Sequence, residues 1–211
     1  MPKVKMPKNS PSLDMTPMVD LAFLLVTFFM LTTQFRPDEP VIIDSPSSIS
    51  EKILPDKVMV VAIDNKNRIF FNLEGKDIRK AMLQQMGDKY GVKFDDNEIM
   101  RFSIMSTFGM SVQQLKQYIT LDTEKRKEFM DKSEGIPYDS LNNQLGDWIR
   151  FGRLADAQVN PDIPKEKQMR FAIKGDAQAN YTSVKRVIDI FQEMKVNRFN
   201  LITTLEQNPI Q

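Results

Sequence analysis

Cysteine and histidine are both absent from the 211 residues. That removes thiol nucleophiles, Ser-His-Asp triads, His- or Cys-based zinc sites and haem attachment together. The usual proton shuttle near neutral pH goes with them, so proton chemistry falls to carboxylates, lysine or tyrosine. The lack of cysteine leaves the compartment open, because it suits an oxidising space as well as a reducing one. An excess of one charge is missing too. Lys and Arg number 29 against 28 Asp and Glu, a net charge of +1, and this near-balance argues against nucleic-acid binding. No glycine-rich phosphate loop and no metal-ligand spacing occurs. Neighbouring acids such as Asp95 and Asp96, or Glu124 and Glu128, are of the kind found on any solvated face. The chain is therefore not read as an enzyme, and no cofactor is expected.

What is present is a globular composition, 41% apolar and 27% charged, long enough for one ordinary domain and an accessory segment. Mean hydropathy is negative, −0.36, but it is unevenly spread. Met18 to Thr33 reads MVDLAFLLVTFFMLTT, in which 12 of 16 residues are apolar and Asp20 is the only ionisable one. Extended from Pro17 to Phe35, the run makes roughly 28 Å of helix, just enough for a hydrocarbon core of about 30 Å. Thr16 or Asp14 suits its cap, and Pro17 suits its first turn. Lys3, Lys5 and Lys8 precede the run, whereas Arg36 is followed by Asp38 and Glu39. The positive-inside rule then places the N-terminus in the cytoplasm and the remainder outside. Thr32-Thr33-Gln34-Phe35 offers no small-x-small cleavage site, so the run reads as an uncleaved anchor and not a signal peptide.

Asp20 is costly inside a membrane, by about 2.5–3.5 kcal/mol at mid-bilayer and less near an end. Thr16, Thr27 and Gln34 share its helical face at about 100° per residue. Two readings follow. Asp20 caps the helix or reaches back to the headgroups, or it takes up and releases a proton on a face that meets partner helices. A single span cannot form a channel alone.

The stretch DMTPMVDLAFLLVTFFMLTT closely resembles the transmembrane signature of the ExbD/TolR family, with its TP-x-VD start and apolar span. The resemblance implies a single-pass subunit of a proton-driven inner-membrane motor. It implies a homodimer of such helices within a pentamer of an ExbB/TolQ-like multi-span partner, energising a TonB- or TolA-like protein. The family's essential Asp falls on Asp20, its helix-start Pro on Pro17 and its pore-side Thr on Thr27. Asp14 stands where the family has Asn nearby, and either adds a second acid or caps the helix.

The outer region begins with a Pro- and Ser-containing linker, about residues 36–56. Within it Val41, Ile42, Ile43 and Pro46 form a short β-prone stretch, read either as a strand on its own domain or, by the resemblance, as a segment that pairs with a partner strand. Ser45 stands where the family has Leu. KVMVVAID (Lys57 to Asp64) and NRIFFN (Asn67 to Asn72) read as strands around an Asp64–Asn67 turn, and Gln168 to Lys174 and Arg198 to Thr204 read as two more. Tyr181, Val184, Val187, Ile188, Phe191 and Met194 form a helical stripe between the last two. The block from Lys174 to Thr203 resembles the family's C-terminal part, with Asp176 and Tyr181 at its motif positions; both are expected to be structural.

Residues 76–165 exceed the family's usual connection. Asp77 to Tyr90 reads as a helix of the common fold. Ser111 to Lys132 and Ser140 to Val159 read as an added helical hairpin, with Trp148 as core or, less simply, as a partner contact. The expected architecture is thus α+β. It comprises a cytoplasmic segment (1–15), a transmembrane helix (16–35), the linker, a periplasmic domain (57–206) with an insertion at about 91–165, and a tail (207–211). The competing functional reading is a membrane-anchored module that binds peptidoglycan or an envelope protein without conducting protons.

Overall fold

Val58–Ile63 (β2) is apolar without alternation and buried except at Val60, the pattern of a strand covered on both faces. It is the middle strand of a sheet. The computed structural model describes residues 16–32, 47–48, 57–162, 169–202 and 204–205. These fall into two units, Met1–Pro37 and Asp38–Gln211. The first holds one helix, α1 (Thr16–Thr32).

The second unit runs β1 (Ser47–Ser48), β2, β3 (Ile69–Leu73), α2 (Lys76–Tyr90), α3 (Asp96–Ile104), β4 (Thr107–Phe108), α4 (Val112–Thr120), α5 (Thr123–Lys132), α6 (Gln144–Val159), β5 (Arg170–Gly175), α7 (Tyr181–Glu193), β6 (Phe199–Ile202) and β7 (Thr204–Leu205). The sheet order is β4-β3-β2-β5-β6, with β2–β3 and β3–β4 antiparallel and β2–β5 and β5–β6 parallel. Parallel neighbours need a crossover, which the insertion and α7 supply. Met59, Phe171 and Phe199 lie side by side in register. Phe171 and Phe199 each pack edge-on against Phe191 of α7, at 5.8 and 5.6 Å between centroids. A separate two-residue parallel ladder joins β1 to β7.

The Asp64–Asn67 turn forms as the sequence predicts, and one carboxylate organises it. Asp64 Oδ1 accepts the backbone N–H groups of Lys66 (3.0 Å) and Arg68 (2.8 Å), and Asn67 takes the left-handed conformation that Asn tolerates (φ 63). Asp64 Oδ2 accepts Arg68 Nε at 2.7 Å. Arg68 Nη1 then reaches the carbonyls of Met130, Asp131 and Ser133, so the hairpin turn closes the C-terminus of α5.

The helical hairpin expected between residues 111 and 159 is corrected in two places. Ser111–Lys132 is two helices, because Leu121 and Asp122 are extended and Asp122 opens α5. The last helix starts at Gln144, where Asn143 Oδ1 accepts the Gly146 N–H at 2.9 Å. Before them stand α3 and β4, which periodicity did not reveal. Asp95 and Glu98 form a capping box at the start of α3, the Asp95 N–H donating to Glu98 at 2.9 Å, so Asp95 is a helix cap. Trp148 is core, as the sequence suggests: on α6 it is fully buried among Phe71 of β3, Phe102 of α3 and Phe108 of β4, at 6.3, 6.2 and 4.8 Å. Gly152 brings α6 down onto the sheet, since a Cβ there would stand 2.5 Å from Met59 Cε. A buried arginine fastens the edge strand: Arg79 Nε donates to the Leu73 carbonyl and Nη2 to Asn72 and, at 2.7 Å, to the Ser106 carbonyl. Burial pulls its guanidinium well below the usual arginine value, to about 10, against the charge of Glu74, so it is charged at neutral pH.

Candidate functional site

The sequence of α1, TPMVDLAFLLVTFFMLT, contains a single ionisable side chain, Asp20. Pro17 sits in the first turn, where its missing N–H has no helical partner to lose. Asp20 follows Thr16 by four residues and precedes Thr27 by seven. At about 100° per residue these steps keep the three within roughly 40° of one another, and Thr27 stands about 10 Å further along the axis. Asp20 is exposed, as are Thr16 and Thr27.

The threonine hydroxyls serve the helix itself. Thr27 Oγ1 donates to the carbonyls of Phe23 and Leu24, both at 2.9 Å, and Thr32 Oγ1 to that of Phe28 at 2.9 Å. Both donors are thereby satisfied within the helix, while their lone pairs stay available as acceptors. No residue of α1 is buried. Phe23, Leu24, Phe28, Phe29, Met30 and Leu31 all stand more than half exposed. A helix this apolar on every side belongs in a core, among other helices or in lipid. As described it has 17 residues, about 25 Å, and among the described residues no helix is long and apolar enough to cross a membrane. Gln34, expected on the Asp20 face, lies outside the described residues, as do Val41, Ile42, Ile43 and Pro46 of the linker. Ser47 and Ser48, directly after Pro46, are the residues that pair with Thr204 and Leu205.

In the second unit, Asp176 and Tyr181 flank one turn. The Asp176 N–H donates to the Ile63 carbonyl at 2.9 Å as β5 ends. Its carboxylate accepts the Gln178 N–H at 2.9 Å and its carbonyl the Ala179 N–H at 3.0 Å, an Asx turn. Asn180 then caps α7 through the Thr182 N–H at 3.0 Å. Tyr181 departs from the expected stripe. Val187 and Phe191 are buried, but Tyr181 is 76% exposed, because it begins the helix beyond the edge of the core. Asn67 was not singled out by sequence reasoning, yet its Oδ1 accepts the Asn180 N–H at 2.7 Å and joins the hairpin turn to the motif turn. The signal was available in the Asp-Asn-Lys-Asn run, which demands a left-handed residue at its end.

The family model of the biopolymer transport protein ExbD/TolR matches residues 6–206. The match takes in α1, the linker, the sheet and the whole insertion, a wider range than the two blocks whose motifs carry the resemblance. No curated protein and no solved structure matches the chain. An apolar helix with one acid, followed by a mixed sheet whose last two strands flank the Asp176–Tyr181 turn, is thus the setting of a family-wide match, and the chain belongs to the ExbD/TolR family of biopolymer transport proteins.

Proposed function

We propose that the chain is the proton-carrying, stator-like subunit of an inner-membrane motor, with α1 and the residues up to about 35 as its membrane span. In this reading the N-terminus is cytoplasmic and the second unit periplasmic. Two copies stand inside a pentamer of an ExbB/TolQ-like protein, and proton passage at Asp20 drives a TonB- or TolA-like partner. The observation that carries the reading is Asp20 itself: the only ionisable group on α1, on one helical face with Thr16 and Thr27, in an apolar helix none of whose residues is buried. The energies are commensurate. One charge moved through 100 mV is worth about 2.3 kcal/mol, nearly two pKa units at about 1.36 kcal/mol each. A proton gradient can therefore switch such a carboxyl between its two forms.

The test is Asp20→Asn, which keeps size and polarity but cannot ionise. Expression, dimerisation and co-purification with the multi-span partner should be unchanged, while proton uptake by the reconstituted complex and the energised envelope work are both abolished. Undiminished proton uptake in that variant would remove Asp20 from the mechanism. The chain would then act as an anchored module for peptidoglycan or an envelope protein, the reading that its large, independently cored second unit favours.

A further inference from the structure

The second unit carries a groove of about 1020 Å³ where the start of β5 meets the turn from α7 to β6. Four cations line it: Arg153 from α6, Arg170 from β5, and Lys195 and Arg198 from the turn. All four are exposed. Among the described residues no carboxylate lines the groove and none of the four forms an ion pair. In a chain of net charge +1 this is a strong local imbalance. Clefts of one sign focus potential and raise the local concentration of oppositely charged partners. The groove continues into a smaller cavity of about 300 Å³ that shares Arg153 and contains one acid, Asp156, which already accepts a hydrogen bond from Asn160 at 3.0 Å.

Local structure holds the cations in place. Arg153 Nη1 donates to the Met194 carbonyl at 2.8 Å, leaving the rest of its fork exposed. Lys195 occupies the position after the cap of α7. Its N–H donates to the Gln192 carbonyl and the Val196 N–H to that of Phe191, at 2.9 and 2.8 Å, a Schellman motif. That position takes φ 58 here, a conformation glycine accepts without strain and lysine does not. A side chain is kept where the backbone would favour none.

The geometry points to a docking groove for an extended acidic peptide segment of a partner protein. Three of the four cations are arginines, whose planar forks match carboxylates. Between them the floor is apolar, formed by Met169, Phe171 and Val196, as alternating acidic and apolar side chains require. Those floor residues are themselves at least nine-tenths buried, so the apolar area they present to a ligand is small beside the charged rim. Asn197 and Asn200 add amide groups of the kind that pair with a peptide backbone. The inference does not depend on proton carriage by Asp20.

The test uses the full chain in detergent and a fluorescein-labelled ten-residue peptide of alternating Asp and Val, with a Lys-Val peptide as control. Anisotropy should register binding of the acidic peptide alone, weakened by salt. Arg170→Gln combined with Arg198→Gln should raise Kd about tenfold, since exposed pairs are each worth a few-fold, and Lys125→Gln on α5 should leave it unchanged. Lys195→Gly is the sharper variant: it should melt no lower than the parent and still bind less tightly, which a purely structural lysine would not do. Amide exchange should slow at residues 195–200 when the peptide is added. Equal Kd in the parent and the double variant overturns the proposal, as does an equal loss with Lys125→Gln. Phosphatidylglycerol vesicles held by the same arginines and not displaced by the peptide overturn it in favour of a membrane surface.

Discussion

Arg68→Met should be among the most damaging single changes to the outer unit that leave the apolar core untouched. Asp64 is 2% exposed, and its partner lies at 2.7 Å with a side chain only 12% exposed. Removing the guanidinium strands a buried carboxylate, a change worth about 3–5 kcal/mol in other proteins. Two backbone N–H groups still hold Asp64 Oδ1, which favours the lower end, about 3 kcal/mol. Loss of the cation at the C-terminus of α5 adds about 0.3–1 kcal/mol. The sum, about 3–4 kcal/mol, lowers Tm by roughly 10 °C in a unit of this size. Asp64→Asn should cost less, about 1–2 kcal/mol, because the amide oxygen keeps the turn and Arg68 keeps its three carbonyls. The double variant should fall short of the sum of the singles. Trp148, the sole tryptophan, is buried in the core that joins insertion to sheet and reports unfolding by fluorescence in urea. A cost for Arg68→Met below 1 kcal/mol, or strict additivity with Asp64→Asn, would refute the argument that this pair bolts the insertion to the hairpin.

Gly109→Ala should destabilise by about 1–3 kcal/mol, read in the same urea titration, because its Cβ would stand 2.1 Å from Cδ1 of the fully buried Phe70 ring. Tyr90 should give stability a specific alkaline slope. Burial first, and then its hydrogen bond to Asp147 at 2.6 Å, hold its phenol above the usual value of 10.0. Its contribution is therefore complete below pH 10 and lost as pH rises beyond it; Tyr90→Phe should flatten that loss in pH-dependent melts, and absorbance at 295 nm should lack one late-titrating phenol.

The strands and helices outside residues 91–165 were legible because each carries its signal locally. The β2 run is uninterrupted apolar sequence, and the Asp64–Asn67 turn carries its chemistry in four adjacent residues. In α7 the buried Val187, Ile190 and Phe191 recur every three or four residues. The insertion was harder because its elements are short and depend on contacts from elsewhere. The nine residues of α3 include Glu98 and Ser103 among those buried, so its apolar stripe is broken. Its best signal was the Asp95–Glu98 cap and not hydrophobicity. The two residues of β4 are a strand only because Phe71 and Asn72 lie across from Phe108 and Thr107. The charged run of α5 buries little besides Met130, and its separation from α4 rests on two extended residues, Leu121 and Asp122.

The two candidate sites differ in the same way. Asp20 could be read from sequence because the anomaly is local: one acid in an apolar run is conspicuous whatever the rest of the chain does, and helix geometry alone puts Thr16 and Thr27 on its face. The basic groove could not. Its cations come from positions 153, 170, 195 and 198, each unremarkable among its neighbours, and the near-zero net charge hides their accumulation. They meet because β5 and β6 run parallel, which returns the chain to the same end of the sheet after α7, and because Gly152 lets α6 settle close enough for the adjacent Arg153 to reach the Met194 carbonyl. A patch assembled by topology in this way is sensitive to helix placement as well as to charge, so changes at Gly152 should reshape the groove without altering a single cation in it.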